Sequence, residues 1–218
     1  MMTRIAILVS GFGSNLQAIL DAVEASKLPG VEAALVVSNR REAYGMQRAI
    51  QRGVPVVYFP LAPYTRAGRP RQDYDADLAA LVGAFGVTWV VLAGWMHVLS
   101  DAFLRHFRVV NLHPALPGAF PGTHAIQRAY KAYQRGEIAH TGVMVHLVPD
   151  AGVDAGPVVL QEAVPIHPQD SLDDLEARIH AVEHDLLVQA LFDLLCKNED
   201  GTGFLYRTLF NGTLMNTD

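Results

Sequence analysis

A doubly wound, mostly parallel α/β sheet in a single domain is the architecture this sequence predicts. Two observations carry it. Through about residue 110, short apolar and β-branched runs alternate with segments of helical spacing, the signature of βαβ units. The runs are apolar at successive positions rather than at alternate ones, as strands covered on both faces must be.

The elements follow in order. Residues 5–9 form the first strand, and a glycine turn leads into a helical pattern through Leu16, Ile19, Leu20 and Val23. Residues 31–37 are the second strand, 43–52 a helix and 54–59 the third strand. Tyr74, Leu78, Leu81 and Val82 keep helical spacing. Residues 89–93 and 109–112 read as the fourth and fifth strands. The pattern then changes. Residues 144–148 and 158–164 are two further strands joined by a turn rich in Asp, Gly and Pro. Ser171 opens a long helix, with Asp174 placed as its capping-box partner. Its expected apolar face is Leu172, Leu175, Ile179, Val182, Leu186, Leu187, Leu191 and Leu194. The chain is expected to form one domain over 1–197 and a loosely packed tail over 198–218.

Composition narrows the function. Half of the 218 residues are hydrophobic, enough for a large core without disulfide or metal staples. The net charge is −5 and no basic stripe is visible, which argues against nucleic acid as a partner. Anionic small molecules remain compatible, because backbone sites bind phosphate on acidic proteins. Cys196 is the one cysteine; it excludes an internal disulfide and suits a reducing cytoplasm. The first apolar run is too short for a secretory leader, and no charge-free stretch approaches membrane-spanning length.

Three segments carry chemistry. In Ser10-Gly11-Phe12-Gly13-Ser14-Asn15, glycines permit close backbone approach and a following helix N-terminus offers free N–H groups. This suits a phosphate; the same residues also describe a plain tight turn with Ser14 as N-cap. The third glycine of a dinucleotide fingerprint is missing. In Asn111-Leu112-His113-Pro114, Asn111 and His113 face one side of a strand at the edge where parallel sheets bind ligands. An amide and an imidazole aimed at one point can stabilise an oxyanion. The third segment is His146 followed by a turn holding Asp150 and Asp154. A carboxylate beside an imidazole raises its pKa and assists proton transfer, but spacing does not choose between the two aspartates. No metal-ligand spacing and no nucleophile elbow is present.

Taken together, six segments resemble the folate-dependent glycinamide ribonucleotide (phosphoribosylglycinamide) formyltransferases. They are SGFGSNLQ (10–17), SNRREAYGMQRA (38–49), VVLAGWMHVLS (90–100), NLHPALPGAFPGTHAI (111–126), HTGVMVHLVPDAGVDAGPVVLQ (140–161) and AVEH (181–184). Their order and spacing, more than any one of them, make the resemblance. It implies a Rossmann-like formyltransferase fold over 1–197 and a cytoplasmic enzyme of purine biosynthesis. The co-substrate would be 10-formyltetrahydrofolate, with no metal. Partners would be small-molecule substrates, with neither nucleic acid nor membrane, and the chain a monomer or homodimer.

Carried over by position, Asn111, His113 and Asp154 become the catalytic group, with Asp154 raising the His113 pKa. Gly13, Ser14 and Asn15 would bind the substrate phosphate and Glu183 the ribose hydroxyls. Arg71, Met96, His97, Val98, Leu99 and Asn111 would contact the folate. Three departures stand out. Residues 115–118 read Ala-Leu-Pro-Gly where the family has Ser-Leu-Leu-Pro. His97 replaces a frequent Arg near the folate tail, and His180 replaces a phosphate-facing polar or basic residue. The alternatives are a 10-formyltetrahydrofolate hydrolase, a methionyl-tRNA formyltransferase, which normally carries a further domain, and a folate- or nucleotide-binding sensor.

Overall fold

Parallel strands need crossover connections, and the apolar runs separated by helices supply them. The computed structural model describes residues 2–196; the tail expected over 198–218 lies outside the described residues. The chain runs β1 (Thr3–Val9), α1 (Ser14–Glu24), β2 (Val31–Ser38), α2 (Tyr44–Gln51), β3 (Val56–Tyr58), α3 (Ala62–Arg66) and α4 (Arg71–Gly83). It continues through β4 (Trp89–Leu92), α5 (Asp101–Leu104), β5 (Arg108–His113), α6 (Ala125–Gln134), β6 (His140–Leu147), β7 (Val158–Pro165) and α7 (Leu172–Leu195).

One seven-stranded sheet has the order β3-β2-β1-β4-β5-β6-β7. The strands β1 to β5 pair in parallel, whereas β6 runs antiparallel to β5 and β7 antiparallel to β6. The chain winds outward from β1 in one direction and from β4 in the other, so the winding reverses between them. Ligands of such sheets bind outside the carboxyl ends of the strands at that reversal.

Side chains alternate across the sheet into two cores. Ile5, Ile7, Trp89, Val91, Val110 and Leu112 pack with residues of α1, α6 and α7 on one face. Ala6, Leu8, Val90, Leu92 and Val109 pack with α4 and α5 on the other. Leu112 thus points into the first core while Asn111 and His113 face the opposite side. Among the described residues no helix is long and apolar enough to cross a membrane.

The structure corrects several boundaries. Gly13, in the left-handed region at φ 76°, occupies the N-cap position, so Ser14 is the first helical residue rather than the cap. At the sheet edge β3 shortens to three residues, because Val54 instead hydrogen-bonds back to Ala49. Helix α6 was not expected from the pattern. Its buried stripe is Ala125, Ile126, Ala129 and Ala132, too small to register as hydrophobic periodicity. In α7 the Ser171–Asp174 capping box forms as expected, a feature worth about 1 kcal/mol. Its buried stripe, however, holds Glu183 and Leu195, while Val182 and Leu194 are only partly covered.

Gly142 marks where β6 is packed most closely. A Cβ there would lie 2.5 Å from the Glu162 carbonyl oxygen and 2.5 Å from a Leu116 methyl. Gly142→Ala should therefore cost about 1–3 kcal/mol in urea denaturation, the scale of an overpacked core. Gly11→Ala, with nothing near its Cβ, should stay within about 0.5 kcal/mol.

Candidate active site

The loop after β1 delivers an uncapped helix end to the carboxyl edge of the sheet. Among the described residues no side chain caps α1, so its first N–H groups lack an intrahelical partner. Gly13 lies so close to α2 that a Cβ would sit 2.6 Å from the Gly45 Cα. Ser10 joins this loop to the one after β4: its N–H donates to the Gly94 carbonyl at 3.0 Å, and its hydroxyl accepts from the Met96 N–H at 2.9 Å.

Helix α7 meets the loop through Glu183. This carboxylate is 4 % exposed and accepts from the Asn15 amide at 3.1 Å and from His180 Nδ1 at 2.8 Å. The Glu183 hydrogen bond raises the His180 pKa against the opposing effect of burial. Gly13, Ser14, Asn15 and Glu183 are therefore brought together, with the side-chain Oδ1 of Asn15 buried and without a hydrogen-bond partner among the described residues.

On the same edge, two strands along from β1, Asp154 gathers the other predicted group. Its Oδ1 accepts from Asn111 Nδ2 at 3.1 Å and its Oδ2 from the Gly122 N–H at 2.7 Å. His113 Nδ1 stands 3.3 Å from Oδ2, and His146 Nε2 stands 3.6 Å from Oδ1. Asp154 reaches this position with φ 51°, a left-handed conformation that aspartate tolerates better than most residues. Asp150 does something else: its carboxylate accepts from the Gly152 N–H within its own turn. His146 sits opposite Asn111 in the β5–β6 register. Its Nδ1 faces the Leu147 carbonyl at 2.9 Å, which assigns that nitrogen as the donor and leaves Nε2 to accept from Asn111 Nδ2 at 3.1 Å. Both hydrogens of the Asn111 amide are thus directed within the group.

The electrostatics revise one expectation. Burial lowers the His113 pKa, and this outweighs the upward pull of Asp154 and of the Phe120 and Ala119 carbonyls. Asp154 does raise the imidazole pKa but does not carry it above the ordinary value. The geometry nevertheless prepares the ring for a proton. Nε2 faces the Phe120 carbonyl at 3.1 Å while Nδ1 faces the carboxylate, so both ring nitrogens look onto acceptors. For Asp154, burial opposes ionisation. The neighbouring His146 ring, the Gly122 N–H and the His113 ring overcome it and hold the carboxyl below its ordinary range.

The predicted folate-contacting residues divide. Met96 and Val98 are about half exposed beside Ser10, whereas Leu99 is buried in the core. Arg71 braces this loop from α4: Nε donates to Asp75 at 3.0 Å and NH2 to the Val98 carbonyl at 2.5 Å. Asp75, fully buried, also accepts from the Ser100 N–H. His97 turns inward. Its Nε2 lies 3.0 Å from the Asn39 amide nitrogen, and its ring packs edge-on against Trp95 and Tyr74. Burial, then the Arg71 charge, lowers its pKa. His97 thus differs from Met96 and Val98 in packing against the protein rather than facing solvent.

The sequence reading missed the Gly122 N–H and the Phe120 carbonyl as partners of Asp154 and His113, since backbone groups carry no side-chain signal. A cavity of about 660 Å³ opens at the opposite edge of the sheet, lined in part by Thr3, Thr88, Arg108 and Leu195. None of the predicted site residues lines it; they gather at the carboxyl edge. Among the described residues no cluster of His, Cys, Asp or Glu could hold a metal ion.

Known proteins share this arrangement of chain and fold. A phosphoribosylglycinamide formyltransferase of Schizosaccharomyces pombe is 46% identical over 209 residues, covering 91% of this chain and 100% of its own. One of Escherichia coli is 40% identical over 183 residues, covering 83% of this chain and 82% of its own. The crystal structure of glycinamide ribonucleotide transformylase 1 from Symbiobacterium toebii superposes with a TM-score of 0.82 at 39% identity, covering 92% of each chain. Residues 3–191 match the formyl transferase family, a span that takes in the glycine loop, the Asn111–His113–Asp154 group and Glu183, and the chain belongs to that family.

Proposed function

We propose that the protein transfers the formyl group of 10-formyltetrahydrofolate to the primary amine of glycinamide ribonucleotide. The observation that carries this reading is a convergence at one sheet edge. An uncapped helix N-terminus fit for phosphate and a buried Asn–His–Asp group lie beside a loop presenting Met96 and Val98. The phosphate site favours a phosphorylated acceptor over water, and the relatives are named for formyl transfer and for phosphoribosylglycinamide.

The chain's own groups then have definite tasks. Gly13, Ser14 and Asn15 hold the acceptor's phosphate, and Glu183 accepts from its hydroxyls. Met96 and Val98 supply apolar surface for the donor. As the amine attacks the formyl carbon, negative charge grows on the carbonyl oxygen. Asn111 can turn one amide hydrogen to it, giving up a partner within the group. His113 takes up the proton that the attacking amine releases, holds it between the Phe120 carbonyl and Asp154, and stabilises the same charge. Asp154 holds the imidazole and helps carry the amine proton to the departing nitrogen. No covalent bond to the enzyme is required.

Loss of donor should be followed with and without the ribonucleotide; donor consumption independent of the acceptor would mean hydrolysis instead. In that assay Asn111→Ala, His113→Ala and Asp154→Asn should each lower turnover at least ~100-fold with much smaller changes in substrate affinity. Asp150→Asn should remain close to wild type, because among the described residues that carboxylate bonds within its own turn.

A second prediction concerns protonation. In the free protein His113 should titrate below 6.5, and lower still in Asp154→Asn, which removes an upward influence. The unfolded chain then binds the proton first, so this group's contribution to stability is lost as pH falls below 6.5 and through the folded pKa. Imidazole NMR titration checks both points; a wild-type midpoint above 6.5 would contradict the burial argument.

A further inference from the structure

The glycine loop carries a residue that anion binding does not need. Phe12 stands between Gly11 and Gly13 with 66% of its surface exposed. Its ring stacks on that of Tyr44 in α2, with centroids 5.4 Å apart and planes at 16°. The Arg48 guanidinium lies over both rings, 4.4 Å from Phe12 and 4.9 Å from Tyr44. It also donates from Nε to the Phe12 carbonyl at 3.0 Å and from NH1 to the Gln17 side chain at 3.0 Å. Beneath it, the Gly45 N–H donates to the Gly11 carbonyl at 3.1 Å. Arg48 therefore grips the loop before α1 and the first turn of α1 at once.

We propose that Arg48 is a positioning residue for the phosphorylated substrate, acting with Phe12 and Tyr44 as one external brace on the glycine loop. The proposal rests on the phosphate reading of that loop. A Gly-x-Gly segment has more backbone freedom to lose on binding than any other, and fixing it beforehand removes that cost from the binding step. The brace fixes it from outside, through a ring and a carbonyl, and leaves the helix N–H groups facing the ligand. Arginine suits the task because its planar fork can stack on rings and donate in two directions together, which an ammonium cannot. The guanidinium also adds positive charge beside a phosphate site that contains the Glu183 carboxylate, on a chain of net charge −5. Among the described residues Arg48 hydrogen-bonds Phe12 and Gln17 and not Asn111, His113 or Asp154, so its effect belongs to binding rather than turnover.

Steady-state kinetics of the full chain tests this, with inorganic phosphate as a competitor. Arg48→Gln should raise the KM for the ribonucleotide ~10-fold. Its kcat and its KM for the folate donor should stay within about 2-fold. The inhibition constant for inorganic phosphate should rise in parallel. Arg48→Lys should fall between wild type and Arg48→Gln, since it keeps the charge and loses the fork. Phe12→Ala should weaken ribonucleotide binding, and the Phe12→Ala/Arg48→Gln pair should be no worse than Arg48→Gln alone. An unchanged ribonucleotide KM in Arg48→Gln, or a fall in kcat without a change in KM, overturns the proposal. Fully additive losses overturn the single brace. If phosphate fails to compete with the ribonucleotide on the wild type, the reading of the loop falls, and this inference with it; competition on the wild type with no change in Arg48→Gln removes the inference alone.

Discussion

The Asp154 carboxylate is the point on which the site depends. Its side chain is 10% exposed, and a buried charge is tolerable only when donors surround it. The Asn111 amide and the Gly122 N–H donate to it here, with the His113 and His146 rings against the same carboxylate. They come from β5, from the loop after it and from β6. Much of the local geometry serves that convergence. The antiparallel β6 sets His146 opposite Asn111. The left-handed φ of Asp154 swings its side chain inward. Gly156 permits the returning chain to pass against the Leu147 carbonyl, where a Cβ would collide.

A second buried carboxylate organises the other half. Glu183 lies on the stripe of α7 that packs against the sheet, where an apolar residue would otherwise stand. It is satisfied by Asn15 and His180, so the helix that covers one face of the sheet also steadies the first turn of α1. Ser10 links that same loop to the segment 94–96. The two proposed substrate surfaces are therefore joined through one backbone hydrogen bond and the buried Ser10 hydroxyl, which suits a reaction that requires both substrates at once.

What the sequence disclosed and what it withheld follow one physical division. Strands covered on both faces and a helix with a capping box announce themselves in apolar runs and in Ser171–Asp174. Helix α6 does not, because alanines bury well and weigh little. The pairing of Asn111 with His113 was legible from strand alternation alone. Which carboxylate joins Asn111 and His113 was not legible from spacing, since that depends on contacts across more than forty positions; the expectation of Asp154 came through the family resemblance, and in the structure Asp154 lies with the pair. The inward packing of His97 depends on Asn39, Trp95 and Tyr74, which lie on separate loops and helices. The lowered His113 pKa reflects burial, which only the folded chain possesses.

That lowered pKa bears on how the proposed reaction would proceed. In the resting site Asp154 is the anion, and the donors around it balance its charge. An imidazolium there would gain the carboxylate and the Phe120 carbonyl as partners, yet burial costs the cation more than these return. The balance changes when a second negative charge develops nearby, because like the carboxylate it favours the protonated ring. Proton uptake by His113 is then favoured by the transition state rather than by the free enzyme. An interaction that strengthens only as the reaction proceeds lowers the barrier, whereas one already present at rest would not. A neutral histidine between two acceptors is thus better suited to this chemistry than a permanently charged one.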